Sequence, residues 1–321
     1  MKAPDFWRRG TASPWPALLA PAAALYDAGR RVHRASGRAE SGPVPIFCVG
    51  AATVGGAGKT PTAIALARRL LALGRRPALV TRGYRGSELG PHRVDPGQDG
   101  VARVGDEALL LAAAAPTWVA RDRLAGARAA AAEGADCVLL DDGLQNPRIA
   151  RDLALLVVDG ETGFGNGRLL PAGPLREPPA EAIARADAVL VIGADSAGIA
   201  ALLPRALPLL AGRLEPQPTA AARLRGRRVV AFAGIGLPEK FRRSLEAAGA
   251  EIVEFRAFPD HHRYQAAELA PLLARGDLVP VTTAKDFVRL PPEIAARVEV
   301  LEVELVVEDW SPLDRLLARG I

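Results

Sequence analysis

Eight residues constrain this chain more than any others. Thr53-Val54-Gly55-Gly56-Ala57-Gly58-Lys59-Thr60 follow the apolar run Pro45–Val49 and open a helical pattern from Pro61 to Leu73. They match the Walker A phosphate-loop pattern except at the first position, where Thr53 stands in place of glycine. The physics tolerates that change. Gly55, Gly56 and Gly58 let backbone N–H groups turn inward around phosphate oxygens. The helix that follows directs its positive end at them. Lys59 supplies a point charge for the β- and γ-phosphates, and the Thr60 hydroxyl can ligate Mg²⁺. Lysine is scarce, with Lys2, Lys59, Lys240 and Lys285 the only four among 41 basic residues, so Lys59 stands out.

The rest of the chain continues the alternation that the loop begins. Apolar runs at Pro77–Thr81, Thr117–Val119, Cys137–Leu140, Leu153–Val158 and Ala188–Ile192 alternate with helical patterns at Gly105–Ala114 and Arg121–Glu133. Continuous apolar strands separated by helices predict a P-loop NTPase-like α/β fold, its parallel sheet covered by helices on both faces. A second, smaller α/β lobe starts near Arg228, with strands Val229–Ala231, Glu251–Phe255 and Leu278–Thr282. The runs Pro208–Leu214 and Val298–Val307 are expected to pair as a two-stranded hinge. The expected organisation is an N-terminal segment 1–43, a nucleotide lobe 44–207, hinge strands with the smaller lobe 208–310, and a helix 311–321 returning to the first lobe. Asp141-Asp142 after an apolar strand is the natural carboxylate partner of the phosphate loop, near Mg²⁺. No Asn-Lys-x-Asp guanine signature is present, so ATP is the expected nucleotide.

Size and charge narrow the partners. The chain has 321 residues, 49% apolar and 24% charged, with a net charge of +5. That excludes a disordered or disulfide-stapled chain and suggests an anionic partner. Cys48 and Cys137 lie in apolar strands and read as inert core thiols of a reducing compartment. The first 35 residues mix Phe6, Trp7, Trp15, Leu18, Leu19, Leu25 and Tyr26 with Arg8, Arg9, Arg30, Arg31 and Arg34. Pro16 and Pro21 interrupt the apolar stretch, which is too short to span a bilayer. Two readings fit: a helix lying in a membrane interface, or one packed on the protein's own core. The segment Gly160–Pro179 is rich in glycine and proline. It reads as a shaped loop holding Arg168, Arg176 and Glu177 at fixed places.

Taken in order, TVGGAGKTP (53–61), TRGYRG (81–86), VGDE (104–107), DDGLQ (141–145), FGNGRLLPAGPLREP (164–178), FPDHH (258–262) and VTTAKDFVRL (281–290) closely resemble the tetraacyldisaccharide 4′-kinase family, the lipid A 4′-kinases of Gram-negative bacteria. The resemblance covers almost the whole chain. It departs from the family at Ala51, Asn146 and Ala284, where the family has Asn, His and an acidic residue. It implies ATP- and Mg²⁺-dependent phosphorylation of the 4′-hydroxyl of tetraacyldisaccharide 1-phosphate, giving lipid IVA in lipid A biosynthesis. It also implies an enzyme held peripherally or monotopically at the cytoplasmic face of the inner membrane, with an acylated disaccharide lipid as partner and no nucleic acid.

Site roles follow from motif and resemblance together. Thr53 to Thr60 cradle the nucleotide, and Thr60, Asp141 and Asp142 face the metal. The resemblance makes Asp106 of VGDE the general base, with His261 as its partner on the second lobe, where lobe closure would complete the site and Asp260 would orient the imidazole. Arg82, Arg121 and Arg176 are candidates for phosphate or headgroup contacts, with Glu177 orienting one of them. The residues alone also fit a soluble P-loop kinase or ligase for a small metabolite, or a nucleic-acid-linked P-loop ATPase.

Overall fold

In the computed structural model, which describes residues 4–318, the chain divides into two compact units. Of the described residues, one comprises Leu214–Leu305 and the other 4–213 together with 306–318. Parts of the predicted terminal segments, residues 1–3 and 319–321, lie outside the described residues.

The larger unit is built on strands β1 (Ile46–Gly50), β2 (Pro77–Thr81), β3 (His92–Arg93), β4 (Thr117–Val119), β5 (Cys137–Asp141), β6 (Leu153–Asp159), β7 (Ala188–Ile192), β8 (Leu209–Pro216) and β13 (Val303–Val307). They form one sheet in the order β13-β8-β7-β6-β1-β5-β2-β4-β3. From β8 to β4 the pairing is parallel, and the two-residue β3 runs antiparallel to β4. Strands β1, β2, β5, β6 and β7 are buried along their whole length. That explains their unbroken apolar sequences, since a strand covered on both faces has no polar side to show. β1 lies between β5 and β6. The phosphate loop therefore leaves the carboxyl edge of the sheet beside the end of β5, where Asp141 and Asp142 sit.

The smaller unit holds β9 (Arg228–Ala233), β10 (Glu251–Ala257), β11 (Val279–Thr283) and β12 (Glu299–Leu301) in a parallel sheet of order β10-β9-β11-β12. One apolar cluster gathers Val229, Ala231, Phe241 and Leu245, and another gathers Phe232, Tyr264, Leu269 and Leu290.

Two boundaries differ from expectation for identifiable reasons. The helix expected from Arg121 begins at Arg123, because the Asp122 side chain accepts the N–H groups of Leu124 and Ala125 and so acts as its N-cap. The run Val298–Val307, expected as one hinge strand, is two. Glu299–Leu301 pairs with β11 in the small sheet, and Val303–Val307 joins β8 at the edge of the large one. Between them the Glu302 carbonyl accepts the N–H of Gln217. The i, i+2 alternation is the same on both sides of that break, so the pattern carries no sign of the change of sheet. The final helix, Ser311–Leu317, buries Leu313 and Leu317, and its Asp314 binds the Arg69 guanidinium of the phosphate-loop helix through two hydrogen bonds, at 2.5 and 3.1 Å.

Candidate active site

The phosphate loop turns through left-handed backbone at Gly55 (φ 70°), Gly56 (φ 62°) and Gly58 (φ 86°). Gly58 is constrained twice, since a Cβ there would also lie 2.6 Å from the Ile192 side chain. The helix Lys59–Ala72 starts directly after it, which aims its unpaired N–H groups into the loop. The outer wall is stitched to the glycine- and proline-rich segment. Thr53 forms an antiparallel bridge with Leu175, Val54 N–H donates to Pro174 O (2.9 Å), and Arg176 N–H donates to Ala52 O (2.7 Å).

Lys59 and the two aspartates meet at the helix start. Lys59 Nζ is 3.5 Å from Asp142 Oδ1, and the Thr60 hydroxyl is 3.4 Å from Asp141 Oδ2. Arg176 also binds Asp142, its Nη1 contacting both carboxylate oxygens at 2.8 and 2.7 Å. Asp142 takes a left-handed backbone conformation (φ 59°), which is uncommon outside glycine and a mark of functional turns. The two carboxyls are held in opposite states. Burial pushes Asp142 up, but Lys59 and Arg176 outweigh it and hold the group below the usual carboxylate range. Asp141 is buried, with Glu107 and Asp142 as negative neighbours, and is pushed up to about 7 against the pull of Lys59 and the Thr60 hydroxyl. Its Oδ1 is buried without a hydrogen-bond partner. An orphaned carboxylate oxygen beside a threonine hydroxyl and a second carboxylate is a hard oxygen donor set that suits Mg²⁺.

The ionisation of Asp141 has a consequence for stability. A carboxyl near 3.9 in the unfolded chain and near 7 in the folded one costs nothing below about pH 4, because both states are protonated. The cost grows as pH rises from about 4 to about 7 and stays constant above that. At about 1.4 kcal/mol per tenfold change in proton affinity it reaches about 4 kcal/mol. Asp141→Asn is therefore expected to raise the Tm in metal-free buffer at pH 8, with the gain fading toward pH 4. A gain independent of pH would show that Asp141 is ionised normally in the fold.

Asp106 is the first residue of the helix Asp106–Ala112 and is 2% exposed. The glycine before it, Gly105, has φ 85°, and the Asp106 Oδ1 accepts the Glu107 N–H at 3.0 Å. The helix end favours its charge. The expected arginines separate into two kinds. Arg82 and Arg121 are exposed, whereas Arg176 is half-buried on Asp142. Glu177 reaches Arg176 through Gln145, whose Oε1 faces Arg176 Nη1 at 3.5 Å. It pairs with Arg185 and accepts from Gln145 Nε2 at 2.7 Å, and the same Gln145 nitrogen donates to Ala51 O at 3.0 Å. Arg123 was not singled out from the sequence. It is 8% exposed, its guanidinium feels Asp141, Asp142 and Arg82, and its Nε is unpartnered. Its only sequence signal is a basic residue just inside a helix N-terminus, where a cation is unfavourable.

In the smaller unit, His261 also adopts a left-handed conformation (φ 56°), and its N–H donates to Gly234 O. Asp260 Oδ2 lies 3.9 Å from His261 Nε2, beyond hydrogen-bond reach. His262 is bound to Glu268 at 2.8 Å.

At the N-terminus, the helix Ala20–Ala35 buries none of its residues. One side is tied to the loop that carries Arg176. Tyr26 OH donates to Arg176 O (3.1 Å), and Arg30 and Arg34 both bind Glu181. Trp7 Nε1 donates to Pro171 O, and Asn166 bonds to Phe6 and Trp7 carbonyls. Trp15, Leu18, Leu25 and Val32 are exposed by 56, 66, 76 and 69%. Leu25 and Val32, seven residues apart, lie on one face of this helix, and Trp15 and Leu18 belong to the short helix Trp15–Leu18 before it. Among the described residues no helix is long and apolar enough to cross a membrane.

A phosphate loop after a central strand of a largely parallel sheet, with its lysine and threonine set against a carboxylate pair at the end of the neighbouring strand, defines a P-loop nucleotide-binding protein. Comparison with known proteins narrows the class. The family model for tetraacyldisaccharide-1-P 4′-kinase (LpxK) matches residues 15–321. The chain is 56% identical to the tetraacyldisaccharide 4′-kinase of Rhodospirillum centenum, over 99% of this chain and 96% of that one. It is 54% identical to the enzyme of the same name from Paramagnetospirillum magneticum, over 97% and 95%. LpxK from Aquifex aeolicus, crystallised in complex with ATP, superposes with a TM-score of 0.76 at 27% identity, covering 95% of this chain and 99% of that one. The chain belongs to the tetraacyldisaccharide 4′-kinase family.

Proposed function

We infer that this protein transfers the γ-phosphoryl group of ATP to the 4′-hydroxyl of tetraacyldisaccharide 1-phosphate in lipid A biosynthesis. The observation that carries this reading is the meeting of Lys59 and Thr60 with Asp141 and Asp142 at the mouth of the phosphate loop, in a chain that belongs to this family throughout. Phosphoryl transfer asks a protein for position and charge more than for covalent chemistry. The loop amides of 53–60 and Lys59 hold the β- and γ-phosphates. Arg176 keeps Asp142 ionised and aimed. Thr60, Asp141 and Asp142 would hold Mg²⁺, which neutralises the phosphate oxygens when bound. Asp106 accepts the proton of the attacking hydroxyl, with His261 as its partner. Arg82 and Arg121, exposed and basic, meet the anionic headgroup. The test is transfer of label from γ-labelled ATP to the lipid acceptor in detergent micelles. Label found only in free phosphate would overturn the reading.

The exposed stripe of the N-terminal helix supports peripheral attachment at the cytoplasmic face of the inner membrane, where the acceptor lipid resides. Its outer side presents Leu25 and Val32, with Leu18 exposed on the short helix before it, and its inner side is occupied by Tyr26, Arg30 and Arg34. Replacing Leu18, Leu25 and Val32 together by serine is expected to weaken binding to anionic vesicles at least about tenfold, with ATP binding unchanged. Unaltered co-sedimentation with vesicles would remove this role from the helix.

A further inference from the structure

The late motif Val281–Leu290 has no part in the chemistry so far, yet it is built with care. Asp286 is fully buried and gathers four donors. These are Gly234 N–H (2.9 Å), Tyr264 OH (2.6 Å), Thr283 OH (2.6 Å) and the Arg289 guanidinium (3.1 Å). Arg289 in turn donates to the carbonyls of Gly234 and His262. Gly234 O also accepts the His261 N–H. One buried carboxylate thus fixes both the strained turn that carries His261 and the short helix Ala284–Phe287 that carries Lys285. The two side chains meet, with Lys285 Nζ 3.3 Å from His261 Nε2.

Lys285 and Asp260 both stand near that nitrogen. Lys285 lies within hydrogen-bond range, and the Asp260 carboxylate stands outside it at 3.9 Å. His262 and Glu268 are committed to each other, and Arg289 to Asp286 and the two carbonyls. An ammonium has three donors and no acceptor, so the imidazole nitrogen facing it must be the lone-pair nitrogen. The ordinary proton affinities agree, with lysine holding its proton about four pKa steps more tightly than histidine.

We propose that Lys285 is a positioning residue for His261, donating to Nε2 so that the imidazole carries its proton on Nδ1. The inference rests on the reading of His261 as partner of the catalytic base. There it makes His261 a fixed hydrogen-bond donor.

The experiment is long-range ¹H–¹⁵N NMR at pH 7.5 of the full chain, ¹⁵N-labelled at histidine, in detergent, with His261 assigned by His261→Asn. In the wild type, Nε2 of His261 should report as unprotonated and Nδ1 as protonated. In Lys285→Met the His261 pattern should move toward a mixture of the two tautomers, and Lys285→Arg should restore it. The kcat should fall at least about tenfold in Lys285→Met and return in Lys285→Arg, with KM for ATP unchanged. A wild-type His261 protonated on Nε2, which needs no variant to detect, overturns the proposal, and so does a His261 tautomer pattern equal in wild type and Lys285→Met. A pattern that changes while His261→Asn keeps full kcat leaves the Lys285 contact standing and removes His261 from catalysis.

Discussion

Lys59→Ala should lower kcat for lipid phosphorylation by about 10²- to 10³-fold, the range for losing one preorganised charge at a developing anion, while the Tm moves little. The fold tolerates the change because Arg176 still holds Asp142 through both carboxylate oxygens. What is lost is the cation that stands on the phosphate-loop helix start against Asp142. Lys59→Arg should not rescue it. The loop admits a compact ammonium between backbone amides, and a planar guanidinium needs a wider, flatter site. The measurement is single-turnover transfer to the lipid acceptor at saturating ATP. A variant within tenfold of wild type would remove Lys59 from the reaction.

Asp106→Asn is expected to lower kcat by about 10²- to 10⁴-fold with little change in KM for either substrate, the pattern for loss of a proton acceptor used in the transition state. Asparagine keeps the size, and its side-chain oxygen keeps the hydrogen bond from the Glu107 N–H, so the helix should remain folded. The basic side of the pH profile should be unchanged, and the limb that reports ionisation of the base should vanish. If Asp106→Asn retained that limb, another group would be the acceptor. Read with Lys59→Ala, the pair separates phosphate positioning from proton transfer, since ATP affinity should suffer only in the lysine variant.

Much of this was legible in the sequence because the large sheet is buried on both sides. Strands with no polar face write themselves as apolar runs, so β1, β2, β5, β6 and β7 could be located almost to the residue. The phosphate loop announces itself through glycines whose backbone angles other residues avoid. The rest depends on relations that have no local signature. Whether Val298–Val307 serves one sheet or two is decided by its neighbours. Arg121 and Arg123 look alike in a list of residues, and only the Asp122 cap and the burial that follows tell them apart. Glu177 follows Arg176 in sequence but reaches it through Gln145 and pairs with Arg185. Lys285 and His261 stand 24 residues apart, in motifs that give no hint they share a scaffold.

The two-sided N-terminal helix bears on how a detergent-independent form of this enzyme could be engineered. Cutting the helix away would strip the exposed apolar residues and, with them, the Tyr26 bond to Arg176 and the arginine clamp on Glu181. Those inner contacts brace the loop that holds Asp142. A truncated enzyme would therefore be weakened at the nucleotide site whatever its membrane contact, and its inactivity would be misread as a need for membrane. Repainting only Leu18, Leu25 and Val32 with polar side chains separates the two effects, yielding a protein that swims freely yet keeps its brace.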